Sequence, residues 1–236
     1  MPGRARMIPL AITILILLAI AAIYSAYAGD MRAIRTRLAT TSELMPGPSG
    51  PVEYTTGGSG GAVLALHGAG GGFDQGALFA TTFVGDNFHW IAPSRFGYLR
   101  SPLPDDASTE AQADAFAALL DGLGIERVSI IAISGGVPPA LQFAARYPDR
   151  TSALILLSSA PHTPYTTEEQ GLPIPAWLYQ ALFSSNFPYW ALSKTARPVL
   201  EGIFDVTPEL RSGMSDEERV FLAGMVDLFQ PVTERL

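Results

Sequence analysis

The stretch Val128–Pro148, VSIIAISGGVPPALQFAARYP, sets Ser134 between an apolar run and a segment of helical character, with Gly135 and Gly136 directly behind it. A serine hydroxyl is a weak nucleophile until it is made accessible and given a base. A sharp strand-to-helix turn supplies the first condition by lifting Oγ beyond the sheet edge, and it crowds the positions two before and two after the serine. Those positions are Ala132 and Gly136, both small, in the pattern A-x-S-x-G. Pro138 and Pro139 fit only the first turn of a helix. The chemistry expected is acyl transfer through Ser134. A serine that merely caps a turn would leave the same short pattern, but the strand before it and the helix after it favour the nucleophile.

Acyl transfer also needs hydrogen-bond donors where the oxyanion forms. The segment LALHGAGGGFDQG (64–76) leaves an apolar run through a glycine-rich loop, which can turn backbone N–H groups towards that point. The same loop fails as a dinucleotide site, because Phe73 stands where the last glycine of G-x-G-x-x-G is required. It also lacks the G-K-[ST] of a phosphate loop. The base is the harder problem, since the chain has three histidines, His67, His89 and His162. They are too scattered for a catalytic zinc site, and with no cysteine there is neither thiolate metal site nor disulfide. A net charge of −7, with no basic run beyond the first forty residues, argues against nucleic acid as a partner.

The elements that must carry these residues alternate along the chain. Apolar runs at 61–68, 88–94, 128–134 and 151–159 read as buried parallel strands, and 52–56 as an early edge strand. Between the second and third run, STEAQADAFAALLDGLG predicts a helix with a Thr109–Gln112 capping box and an apolar face of Ala113, Phe116, Ala117 and Leu120. Residues 163–236 show helical segments broken by prolines and no strand. The last of them is opened by a Ser215–Glu218 capping box and is apolar nearly all round, which predicts burial. The fold class expected is α/β, a mostly parallel sheet covered on both faces, followed by a helical region.

The N-terminus adds a further element. Residues 7–28 carry no charge and are flanked by arginines on both sides. At about 1.5 Å per residue they can cross a hydrocarbon layer roughly 30 Å thick. A retained single-pass anchor is the first reading, with the globular part outside the cytoplasm. A signal peptide cleaved at Ala28, after Ala26-Tyr27-Ala28, is the second. Residues 29–50, charged at first and then MPGPSGP, read as a connector, leaving a core at 51–162 and the helical region at 163–236.

Taken together, His67-Gly68 after a strand, then APSRFGYLRSP, AISGGV and ARYPDRTSALILLSSA, resemble the α/β-hydrolase superfamily over residues 50–160. The resemblance implies a Ser–His–Asp triad on Ser134 and an oxyanion hole made by the N–H of Gly135 and of Ala69 or Gly70. It also implies a lid from about residue 163, and no cofactor. Two features depart from the family pattern: Ala132 replaces the first glycine of the motif, and SRFGYLRS replaces the usual Asp-x-Arg-Gly-x-Gly loop while keeping Arg95 and Gly97. Epoxide and dehalogenation chemistry in this superfamily goes with an aspartate nucleophile, so Ser134 points to an ester-like substrate. The aromatic residues Trp177, Tyr179, Phe183, Phe187, Tyr189 and Trp190 suit an apolar one, although lid packing alone would also use them. In the family the acid and base follow strands beyond the lid, and no such strands are visible here. The expectation is a C-terminally truncated chain of impaired activity, with His162 as the remaining candidate base; His67 reads as structural and His89 as a strand residue. The alternative is a catalytically silent, membrane-tethered binding protein.

Overall fold

A computed structural model describes residues 3–158, 175–204 and 206–235, with backbone alone for 3–9 and 176. Its centre is a six-stranded sheet of order β1-β2-β4-β3-β5-β6: β1 Glu43–Met45, β2 Val52–Gly57, β3 Gly61–Leu66, β4 Phe88–Pro93, β5 Val128–Ile133 and β6 Thr151–Leu157. β4, β3, β5 and β6 run parallel, while β2 pairs antiparallel with β4 and with β1. The four apolar runs and the edge strand of the sequence reading are all present, each ending within two residues of its expected limit.

Strand side chains alternate between faces. Leu64, Leu66, Ile130 and Ala132 point to one side, where Phe116, Leu119 and Leu120 of α3 (Thr109–Gly122) and Phe143 of α4 (Val137–Arg146) close over them. Val63, Ala65, Ala92 and Ile131 point to the other, towards α2 (Phe73–Phe79) and Ala80. The opposed placement of the helices follows from the strand order. The chain steps from β3 outward to β4, then returns across β3 to β5, and right-handed crossovers in opposite directions place their helices on opposite faces. Such a reversal leaves a crevice at the carboxyl ends of β3 and β5. The loop at 67 and the turn at 134 both open there.

Three expectations need correction. The segment from 29 to 40 is not connector: α1 runs unbroken from Gly3 to Thr40. Its charged end docks on the body, with Met31 and Leu38 buried, Arg37 on Asp74 at 3.2 Å and Arg35 on Glu234 at 2.8 Å. Read locally, those arginines resemble a solvated run; their carboxylate partners are remote in sequence. The Thr109–Gln112 capping box does not form. Ser108 caps α3 by accepting the Ala111 N–H, and Gln112 Oε1 instead accepts the Phe96 N–H at 2.6 Å. The last helix, α9 (Asp216–Asp227), has the expected Ser215–Glu218 box but buries only Leu222 and Val226.

The other described C-terminal helices are α5 (Ala176–Phe183), α6 (Asn186–Thr195), α7 (Arg197–Glu201) and α8 (Pro208–Gly213). With α9 they gather around Tyr189, Leu200, Val226 and Val232. On the sheet's far side β6 has β5 as its one strand neighbour among the described residues, and Ile155 stands half-exposed. Residues 10–40 of α1 are long and apolar enough to cross a membrane, and no residue of the most apolar stretch is buried.

Candidate active site

β5 passes into α4 with almost no loop. Ile133 is extended, Ser134 takes φ +47°, and one 3-10 turn (Ser134–Gly136) leads into the helix, whose first turn accommodates Pro138 and Pro139. A left-handed conformation costs a non-glycine residue roughly 1–2 kcal/mol, so the surrounding packing has to hold it. Gly136 shows how: a Cβ there would lie 2.6 Å from the His67 carbonyl oxygen and 2.8 Å from that of Leu66. Ala132, on the other side of the serine, is buried. Both positions read as small from the sequence are therefore enclosed. Ser134 itself is half-buried, and its hydroxyl has no hydrogen-bond partner among the described residues.

The loop leaving β3 is fixed at Gly68. Its N–H donates to Gln75 Oε1 at 2.9 Å, and its carbonyl accepts from Arg95 Nη2 at 3.1 Å. That carbonyl also lies 2.8 Å from His67 Nδ1. His67 Nε2 accepts the Arg95 N–H at 2.9 Å, which assigns the ring proton to Nδ1 and makes Nδ1 the donor. The Gly68 carbonyl and the Ala69 N–H belong to one planar trans peptide, so anchoring the first turns the second to the opposite side. Ala69 N lies 3.3 Å from where a side chain on Gly135 would begin, and no acceptor among the described residues takes its proton. Gly135 sits in the first turn of the following helix, where N–H groups have no intrahelical acceptor. Gly70 adopts φ +67°, and its open side is filled by the Phe229 ring, which leaves no room for a Cβ.

The arrangement thus brings together Ser134, Gly135, Ala69, Gly70, Ala132 and Gly136. It does not bring a free imidazole to the serine among the described residues. His67 is fully buried, and desolvation, with the Arg95 charge beside it, holds its pKa well below the ordinary histidine value. It is a neutral bracket with both nitrogens engaged. His89 pairs with Ala62 at the start of β3, level with the beginning of β5. Ser134 follows the end of that strand, about 20 Å away at roughly 3.3 Å per residue. His162 lies outside the described residues.

Three supports were not legible as site residues. Arg95 reads in the sequence only as a retained loop residue, yet it touches Gly68, His67 and the Tyr98 hydroxyl. Its loop is anchored by buried Glu53, which accepts from Arg100 Nε at 2.6 Å, the Arg100 N–H at 3.0 Å, Ser42 at 2.7 Å and Ser94 at 3.2 Å. Fully buried Arg235 pairs bidentately with Asp74 at 2.8 Å on both oxygens and fixes the C-terminal segment to the start of α2. A cavity of about 760 Å³ lies between α1, α2, α6 and α9, and none of its walls belongs to the turn at 134 or to residues 67–70.

Comparison with known proteins agrees with this fold. The alpha/beta hydrolase fold family model matches residues 61–202. The uncharacterized hydrolase YcgS of Bacillus subtilis (strain 168) is 32% identical over 146 residues, 58% of this chain and 51% of that protein. The 2-hydroxy-6-oxo-6-phenylhexa-2,4-dienoate hydrolase of Comamonas testosteroni is 33% identical over 111 residues, 45% of this chain and 39% of that one. The chain therefore spans about half, or less, of the length of these relatives. Among solved structures, an alpha/beta hydrolase fold protein from Nakamurella multipartita superposes with a TM-score of 0.62 at 27% identity, covering 82% of this chain and 68% of that one.

Proposed function

From the premise that this chain belongs to the alpha/beta hydrolase fold family, we propose that it is a serine hydrolase of esterase type acting through an acyl-enzyme on Ser134. The observation that carries the reading is Ser134 at φ +47° between β5 and α4, with Ala69 N beside Gly135. In the proposed reaction Oγ adds to the ester carbonyl as its proton passes to a base, and the carbonyl oxygen becomes an oxyanion held by the Ala69 and Gly135 N–H groups. Collapse expels the alcohol, which takes up the proton, and water then hydrolyses the acyl-serine. His162 is the base candidate. The face Phe229 turns to Gly70, continued by Phe183 and Tyr179, suits an apolar substrate body. Residues 7–28 would anchor the protein in a membrane, with the body on the extracytoplasmic side.

A fluorophosphonate probe tests this reading. Labelling is expected in the folded protein, to vanish in Ser134→Ala and to fall sharply in His162→Ala. Labelling that survives Ser134→Ala would overturn the assignment of the nucleophile. One observation favours a second reading, a tethered binding protein that does no chemistry: no imidazole faces Ser134 among the described residues. That reading expects a folded protein that the probe never labels.

A further inference from the structure

α1 passes from the proposed membrane span into the body with no linker between them. Residues 7–28 carry no charge. At 1.5 Å per residue they extend about 33 Å, slightly more than a hydrocarbon layer of roughly 30 Å. Asp30, two residues on, already belongs to the body: its carboxylate accepts from Trp190 Nε1 and pairs with Lys194 Nζ, each at 2.9 Å. Contact with the body starts before the span ends. The Tyr27 ring meets Phe187 and Trp190 of α6 edge-on, with centroids 5.4 Å apart in both cases. Tyr24, about one turn nearer the N-terminus, lies 6.5 Å from Tyr27.

These distances bound the depth of α6. Side chains on a helix lean towards its N-terminus, which here is the bilayer side, so the Tyr27 ring sits within the last turn of the span. Phe187 can stand at most 5.4 Å beyond that ring, and the headgroup layer adds about 5–7 Å to each side of the hydrocarbon. Among the described residues nothing covers it: Phe187 is 43% exposed, and Tyr24 is 67% exposed. Residues 175–193 carry no charged side chain that lipid would have to dehydrate. Tyrosine and tryptophan collect at this layer because their rings are apolar at one end and polar at the other. We propose that α6 rests on the bilayer surface, with Phe187 seated among the lipid headgroups and the Tyr24, Tyr27 and Trp190 rings beside it. The partner is the lipid surface itself, and it holds the body at a second point besides the span. The inference rests on the anchor reading of residues 7–28 and goes beyond it, since an anchor alone leaves the body free to stand off in water.

The chain has no cysteine, so a single introduced thiol can carry a spin label without background. The full chain is labelled as Phe187→Cys, Leu17→Cys or Leu103→Cys in phosphatidylcholine vesicles. Power saturation then reads accessibility to oxygen relative to a water-soluble nickel chelate. Leu17 marks the middle of the span. Exposed Leu103 marks water, since it follows Arg100, which meets Ser42 beyond the far end of α1. The ratio at Phe187 is expected to be several times that at Leu103 and to fall between it and that at Leu17. A Phe187 ratio equal to that at Leu103, with Leu17 in lipid, overturns the inference and leaves the anchor standing. A Leu17 ratio equal to that at Leu103 overturns both. Loss of access to both reagents at Phe187 reveals a protein on that face, a second copy included, and also overturns the inference. Should the label disturb α6, Trp190 serves as a native probe, because Trp90→Phe/Trp177→Phe leaves it the sole tryptophan. Lipid brominated at the headgroup end of its acyl chains should quench its fluorescence, and fluorescence indifferent to bromination overturns the inference.

Discussion

The platform around Ser134 and the helices that cover it are built on different terms. In the platform the backbone is fixed by enclosure: Gly136 faces two carbonyl oxygens, and Gly68 is bonded at both its N–H and its C=O. Leu64, Ile91, Ile130 and Phe116 are wholly buried beneath it. The cover, residues 175–235, rests on a small cluster around Tyr189 and on a few polar clasps, while Trp177 and Val220 face solvent. Buried Tyr189 ties the cover to itself by donating its hydroxyl to the Val226 carbonyl at 2.8 Å. Arg235 ties it to the platform. The proposed reaction would thus use the region with no slack for its fixed geometry, and the region held by few points for its apolar wall.

That contrast sets an order of expected effects. Gly136→Val should do the most damage, because neither carbonyl it meets can move without breaking β3; loss of the cooperative unfolding transition in circular dichroism is the expected result. Arg235→Met leaves Asp74 buried with only partly exposed Arg37 for company. Breaking a buried pair costs about 3–5 kcal/mol, seen as a lower urea midpoint. If the contrast holds, limited proteolysis of this variant cuts first within 175–235 while the sheet survives. Simultaneous cutting in both regions would show that they unfold as one.

A smaller effect follows from His67. Its folded pKa lies below the ordinary value near 6.5, because burial disfavours the charged ring and the Arg95 charge stands beside it. As the pH falls the unfolded chain takes up the proton first. The stability held by neutral His67 is complete above about pH 6.5 and is lost below it, by at most about 1.4 kcal/mol per pH unit. Urea midpoints at pH 7.5 and 5.5 measure this, and replacing His67 by asparagine should flatten the slope. Least of all, Ser215→Ala removes the cap of α9 and should cost about 1 kcal/mol. Its loss should show as faster amide exchange in the first turn of α9, with the platform unchanged.

Much of the platform could be read from one dimension because its rules are local. Apolar runs of strand length, two small residues spaced about Ser134, and prolines permitted only in a first turn each constrain the chain within a few residues. The supports could not be read that way. The charged end of α1 looks like a linker until Asp74 and Glu234 are beside it, and Gln112 looks like half of a capping box until Phe96 presents a closer N–H. Arg235 gives no local sign that it is buried, since its partner is 161 residues away.

The sequence by itself determined the order of strands and helices, the place of the turn at Ser134 and the apolar character of residues 7–28, because periodicity and backbone restriction act over a few residues. The tertiary structure alone decided that α1 continues to Thr40, that His67 is a neutral bracket and not a base, and that Arg95 bonds to Gly68 and Tyr98 beside the turn. Those outcomes depend on which charges and carbonyls meet across the fold, and pairing between distant segments is settled only when the sheet brings them within hydrogen-bond reach.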